Sequence, residues 1–275
     1  MKNTLIFTVL IFVFACASKD KNIEDTSIGS SDIEAQAQQD SIIAEVFRSD
    51  TYRTEGIFSP EWQVELDKAL TKDSTIARLW QQKAMPLFKQ GKYELGMPFL
   101  DKAVKYDEQE YLEYRAFMKC IFAKQYRDAI IDFEEAIKKY GDNYVMDHSY
   151  SFHIALSKIQ LNQFAEAEML LLAETERQLQ EKGENLVHHL DLFYLGISQY
   201  EQNKYEKAIA SFDKALKLYS HFSDVQAYKA ICLAKLEQFE TADSLWTIAE
   251  TNGLNGYTIN EDNAAYERYP YQWRW

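Results

Sequence analysis

Five segments of the chain share one arrangement of apolar and polar positions. The clearest is NKYEKAIASFDKAL, residues 203–216. Its apolar residues Tyr205, Ala208, Ile209, Phe212, Ala215 and Leu216 fall at i, i+3, i+4, i+7, i+10 and i+11, one face of a helix. Asn203, followed three residues later by Glu206, reads as an N-cap with its capping-box partner. The same pattern opens as GKYELG at 91–96, KQYRDA at 124–129, NQFAEA at 162–167 and EQFETA at 237–242. Each has an aromatic third residue and closes on a small one: Gly96, Ala129, Ala167, Ala208 and Ala242, spaced by 33, 38, 41 and 34 residues. Seven residues further on come Ala103, Ala136, Ala215 and Ala249, with Glu174 in that place in the third copy. Between the two small positions lies a bulky residue: Leu100, Phe133, Leu171, Phe212 or Trp246.

A second helical pattern precedes each segment, as in LDLFYLGISQYEQ and VQAYKAICLAKLEQ. A helix pair recurring at about this period is the signature of a solenoid. These residues resemble the tetratricopeptide repeat over roughly 77–250, with Gly196 where that family prefers Gly in its first helix. The resemblance implies an all-α solenoid of about five helix-turn-helix repeats, in which the small residues let the two helices of a pair approach closely. Residues 43–76 read as a degenerate helical cap, since Ala69 lies 34 residues before Ala103 and Ser59-Pro60 looks like a helix start. Pro86 and Pro98 fall inside the helices of the first copy, where a proline removes a hydrogen bond and kinks the helix. The chain longer by a few residues around 141–150 and 175–188 is expected to lengthen helices or loops.

The N-terminus breaks the pattern. Lys2 precedes an apolar run from Leu5 to Phe14 that is too short to span a bilayer but has the length of a secretory signal. The run ends in Val13-Phe14-Ala15-Cys16, which resembles a bacterial lipobox. Residues 1–15 are therefore expected to be a lipoprotein signal peptide and Cys16 the lipidated residue. Residues 16–42, poor in aromatics and rich in Ser, Asp and Gln, are expected to be a flexible tether. The expected address is the bacterial cell envelope, anchored to the outer membrane.

Charge and chemistry narrow the function classes. The net charge of −13 argues against nucleic acid as a partner. Cys120 and Cys232 fall in first helices three repeats apart, too far for a disulfide. No pair among His148, His153, His188, His189 and His221 has the i, i+4 spacing of a helical zinc site. Neither a nucleophile elbow nor a phosphate-binding loop is present. No enzymatic activity, metal or cofactor is expected.

The family resemblance assigns the concave face to the first helix of each pair. Carried over, the partner-binding positions are Tyr111, Tyr114, Met118 and Phe122 in the second copy and Phe152 and Leu156 in the third. The fourth copy supplies Phe193, Ile197 and Tyr200. Such a surface suits an apolar helix or an extended peptide. The chain ends in AAYERYPYQWRW, an aromatic segment within residues 251–275 that could cap the array, plug the groove or dock a partner. The implied function is a lipid-anchored scaffold for a protein or peptide partner. A component of an outer-membrane assembly machine and a glycan-binding surface lipoprotein are the alternatives.

Overall fold

The computed structural model describes residues 30–183 and 187–275. The expected signal peptide, Cys16 and the tether as far as residue 29 lie outside the described residues. Twelve α-helices follow one another: α1 Ser30–Arg48, α2 Pro60–Lys72, α3 Ala77–Lys89, α4 Tyr93–Tyr106, α5 Glu108–Phe117, α6 Tyr126–Tyr140, α7 Tyr150–Gln160, α8 Phe164–Lys182, α9 His189–Glu201, α10 Tyr205–Leu218, α11 Ser223–Lys235 and α12 Phe239–Leu254. Each packs on the next in chain order, which makes an all-α solenoid of helical hairpins. Residues 30–42 belong to α1 rather than to a tether. The reason is cooperative. Ile42 and Val46 are buried in a cluster with Trp62, Leu66 and Leu70, and a helix anchored there propagates backwards through good helix formers.

The repeated small residues sit where helices touch. Ala103, Ala129, Ala136, Ala167, Ala208, Ala215, Ala242 and Ala249 are all buried. Gly196 marks the tightest approach: a Cβ there would lie 2.3 Å from Cε1 of Phe212, the wedge residue of the paired helix. Gly96 is in the same relation to Phe88. Pro86 and Pro98 lie inside α3 and α4 as expected.

The turn within each pair differs from the reading of Asn203 as an N-cap. Asn203 has φ 58°, and Lys124, Asn162 and Glu237, the equivalent residues, have φ 56°, 59° and 61°; Gly91 has φ 73°. These residues close the preceding helix. The N–H of Lys204 donates to Gln199 O at 2.9 Å, and Lys92, Gln163 and Gln238 repeat that bond to Leu87, Lys158 and Leu233. This is a Schellman closure, which needs a left-handed residue and so favours Gly or Asn. Asn203 is spent on the helix behind it, and Glu206 has no capping box to complete.

Two departures from regular repeats shape the interior. In the second copy α5 runs into a π-helical turn, Met118–Phe122. After α6 the extra residues form a small antiparallel hairpin, β1 Tyr144–Val145 and β2 His148–Ser149, turned by Met146 and Asp147 in left-handed conformations. Its return strand brings His148 into the core.

Candidate functional site

The first helices of the pairs share one face, and the chain's own C-terminus occupies it. Past α12 the chain turns at Gly256. Ser223 N–H donates to Tyr257 O at 2.8 Å. An outgoing limb then crosses α9, where His189 bonds Asn260, and reaches α3, where the Lys89 ammonium sits 4.6 Å from the centre of the Tyr266 ring. At the far end Glu267 accepts a hydrogen bond from Tyr93 and pairs with Lys124 at 3.7 Å. The returning limb is fixed by Tyr194, whose hydroxyl donates to Pro270 O at 2.9 Å, and by Tyr271, whose hydroxyl donates to Glu201 at 2.7 Å. It ends at α12, where Trp273 and Trp275 cluster with Trp246.

Asp224 holds both limbs. It is fully buried and accepts the N–H of Ile259 on the outgoing limb and of Trp273 on the returning limb. Burial pushes its carboxyl up to about 6, against the pull of those two N–H groups. Gly253 seats the last residue: a Cβ there would be 2.2 Å from the Trp275 indole, whose N–H donates to Ser223 Oγ at 3.1 Å.

The nine carried-over groove positions separate into three sets. Phe152, Leu156, Phe193 and Ile197 are buried. Phe193 packs between Phe212 of its own pair and Phe222 and Tyr228 of the next, and Phe152 stacks on His148 and meets Tyr194. They form core between neighbouring helices, because the first helix of a pair also has to bury a face against the following repeat. Tyr200 sits half-buried between Tyr205 and Tyr228, and Tyr111 half-buried beside the first copy. Half-buried Tyr114, together with Met118 and Phe122, which are themselves buried, borders a concavity. It is a cavity of about 630 Å³, bounded by Gln81, Met85 and Lys89 of α3 and by tail residues 260–263 and Tyr266, with His188 and His189 also on its wall.

Near these histidines the fold gathers polar groups that the sequence spacing did not connect. His148 from the hairpin, His188 at the start of α9 and Asp191 in its first turn each present a ligand atom within 4.8 Å of the others. Burial works against a charge on His148, but Asp191 and Glu261 on either side outweigh it and raise its pKa to about 9. Glu174, unusual among the small repeat positions, is buried here. It accepts two bonds from Arg177 and one from Gln178. Both structural thiols, Cys120 and Cys232, are free and buried.

Stacked helical hairpins with close small-residue contacts define an α-solenoid, one face of which holds an extended segment of its own chain. Family comparison places it more narrowly. The tetratricopeptide repeat model matches residues 77–110, the α3–α4 pair, and again residues 189–222, the α9–α10 pair. This chain is a tetratricopeptide-repeat protein. No curated protein matches it by sequence. Among solved structures it is similar to PilW, a widely conserved type IV pilus biogenesis factor, at 12% identity and TM-score 0.60, over 83% of this chain and 98% of that one. It is also similar to MamA from Desulfovibrio magneticus RS-1 at 16% identity and TM-score 0.54, over 65% of this chain and 96% of that one. A MamA RS-1 double mutant gives TM-score 0.53 at 15% identity, over 66% of this chain and 96% of that one. At such identities the likeness is one of fold.

Proposed function

We propose that this protein is a lipid-anchored scaffold of the bacterial envelope, held at the outer membrane through Cys16, that recruits a protein partner by taking a peptide segment onto the face its own tail covers. The fold class is one of protein–protein interaction. One observation carries the mode: the tail lies along the first helices as a bound peptide would, through backbone bonds at Tyr257, Ile259, Pro270 and Trp273 and aromatic side chains between them. A face that satisfies one extended segment offers the same donors, acceptors and ring pockets to another. The cavity beside Tyr114, Met118 and Phe122 gives an incoming segment a place to start. Anchoring would raise the local concentration of the pair at the membrane.

Two measurements test this. Cys16→Ser is expected to move the protein from the membrane to the soluble fraction and to abolish labelling by radioactive palmitate; retention of both sinks the anchor. Removal of residues 265–275 is expected to leave a folded protein that retains more of its partner in cross-linked pull-downs from membranes. Weaker capture by a folded truncated chain would mean that the tail forms part of the binding surface or that the partner binds elsewhere.

A further inference from the structure

We infer that His148, His188 and Asp191 form a binding site for a divalent transition metal, of which zinc is the best fit, with Glu261 of the tail as the outer carboxylate. The three come from two inter-helix connections and one helix start. His148 is on β2, His188 is the residue preceding α9, and Asp191 is in the first turn of α9. Two imidazoles and one carboxylate are a donor set that favours zinc and its neighbours over calcium or magnesium.

The geometry is that of ligands awaiting an ion rather than of groups bonded to each other. His148 Nδ1 and Asp191 Oδ1 stand 3.7 Å apart, beyond hydrogen-bond distance. Two donors on one tetrahedral zinc, each at about 2.0–2.1 Å, are separated by roughly 3.3 Å. Asp191 is 1% exposed, yet its Oδ1 makes no hydrogen bond. A buried carboxylate oxygen without a donor is costly, and a cation supplies what it lacks. Its other oxygen accepts a hydrogen bond from Gln178, whose own carbonyl accepts the His188 backbone N–H at 2.8 Å. Gln178 therefore orients two of the three ligands.

The far side of His148 completes the arrangement. Its Nε2 faces Glu261 Oε1 at 3.3 Å. A metal-bound histidine characteristically gives its second ring N–H to a carboxylate, which fixes the ring and raises its basicity. His188 is half-buried, with its ring 4.5 Å from that of His148, and the ligand atoms of the trio lie within 4.8 Å of one another. Its Nδ1 also accepts the Leu190 N–H at a long 3.3 Å. A neutral imidazole has a single ring lone pair, so metal binding through either nitrogen replaces this weak cap. Of the three, His188 also borders the cavity. An ion here would join the hairpin to the α8–α9 connection and, through Glu261, to the outgoing limb of the tail.

The test is titration of the full chain, stripped with chelator, with Zn²⁺ alone in a calorimeter. One ion per chain is expected, with a Kd of about 1 μM or tighter. Asp191→Asn and His188→Ala are each expected to weaken binding at least 10-fold, and Glu261→Gln by about 10-fold, a typical loss for an outer-shell partner. Cobalt is expected to give the intense visible bands of a four-coordinate ion in the wild-type chain, a readout that survives even if a variant misfolds. Three results each overturn the site: no saturable binding, unchanged affinity in folded Asp191→Asn, or the weak cobalt spectrum of an octahedral ion. An ion pair of His148 with its two carboxylates would be the remaining description.

Discussion

Ala208 and Gly196 show how much stability one side-chain volume controls here. Ala208 is fully buried, and Gly196 meets the Phe212 ring where a methyl group would have to be. Ala208→Leu and Gly196→Ala are each expected to cost about 1–3 kcal/mol through overpacking, read as a lowered urea midpoint with the slope unchanged. An unaltered midpoint would mean that the helices separate freely at that point. Asp224 sets a different residue-scale term. Its folded pKa of about 6 lies above the ordinary value of 3.8 for an aspartate. Its contribution is therefore fully present below pH 3.8 and is lost as pH rises through 6, a swing of about 3 kcal/mol. Asp224→Asn does not titrate, so its stability relative to wild type is expected to improve by that amount between pH 4 and pH 7.5. A pH-independent difference would show that the carboxyl is not desolvated. Glu237 holds a left-handed φ of 61° without being Gly or Asn. Glu237→Gly is expected to gain about 0.5–1 kcal/mol, the relief of strain exceeding the extra chain entropy, and a lowered melting temperature would contradict it.

At the scale of elements, the tail is secured mostly by its two ends and by Asp224. Trp275 needs the bare backbone of Gly253, so Gly253→Val expels it from α12. The returning limb is then expected to lose amide-exchange protection over 270–275 while the paired helices keep theirs. Equal protection in both forms would show that Trp275 is not the fastener. The turns within the pairs are likewise elements rather than residues. Five left-handed residues sit at equivalent places, and four of these closures share the same Schellman bond, which gives those pairs the same tight reversal. The cap at the other end depends on α1. Ile42 and Val46 cover Trp62 and Leu66, and this cluster continues through Leu79 and Trp80 of α3 to Phe99, Ala103 and Tyr111.

At the scale of the whole molecule, contact is nearest-neighbour along the array except for the tail, which links α12 back to α3 and α4. Solenoids without such a link behave as a chain of coupled units. Removing residues 30–48 is expected to loosen α2 and α3 in hydrogen exchange and to leave α9–α12 protected. Loss of protection throughout would show that the array folds as one cooperative body. Among the described residues no helix is long and apolar enough to cross a membrane.

Much of this architecture was legible because it is periodic. Small residues at fixed spacing with aromatic wedges between them report helix pairs, and each copy repeats the same local physics. The burial of Cys120 and Cys232 followed from the same register. Local pattern could not separate a cavity-bordering position from an inter-repeat contact, since Phe152 and Phe193 and a half-buried residue beside the cavity such as Tyr114 all come from first helices. That distinction depends on what the next repeat brings against them. Nor could it reveal the tail's path or the meeting of His148, His188 and Asp191, which are joined by a hairpin, a connection between repeats and a helix start. Helix pairs are determined by short-range packing and are written in the chain. Where the tail lies and which polar groups meet are decided by non-local contacts, which have no sequence period to announce them.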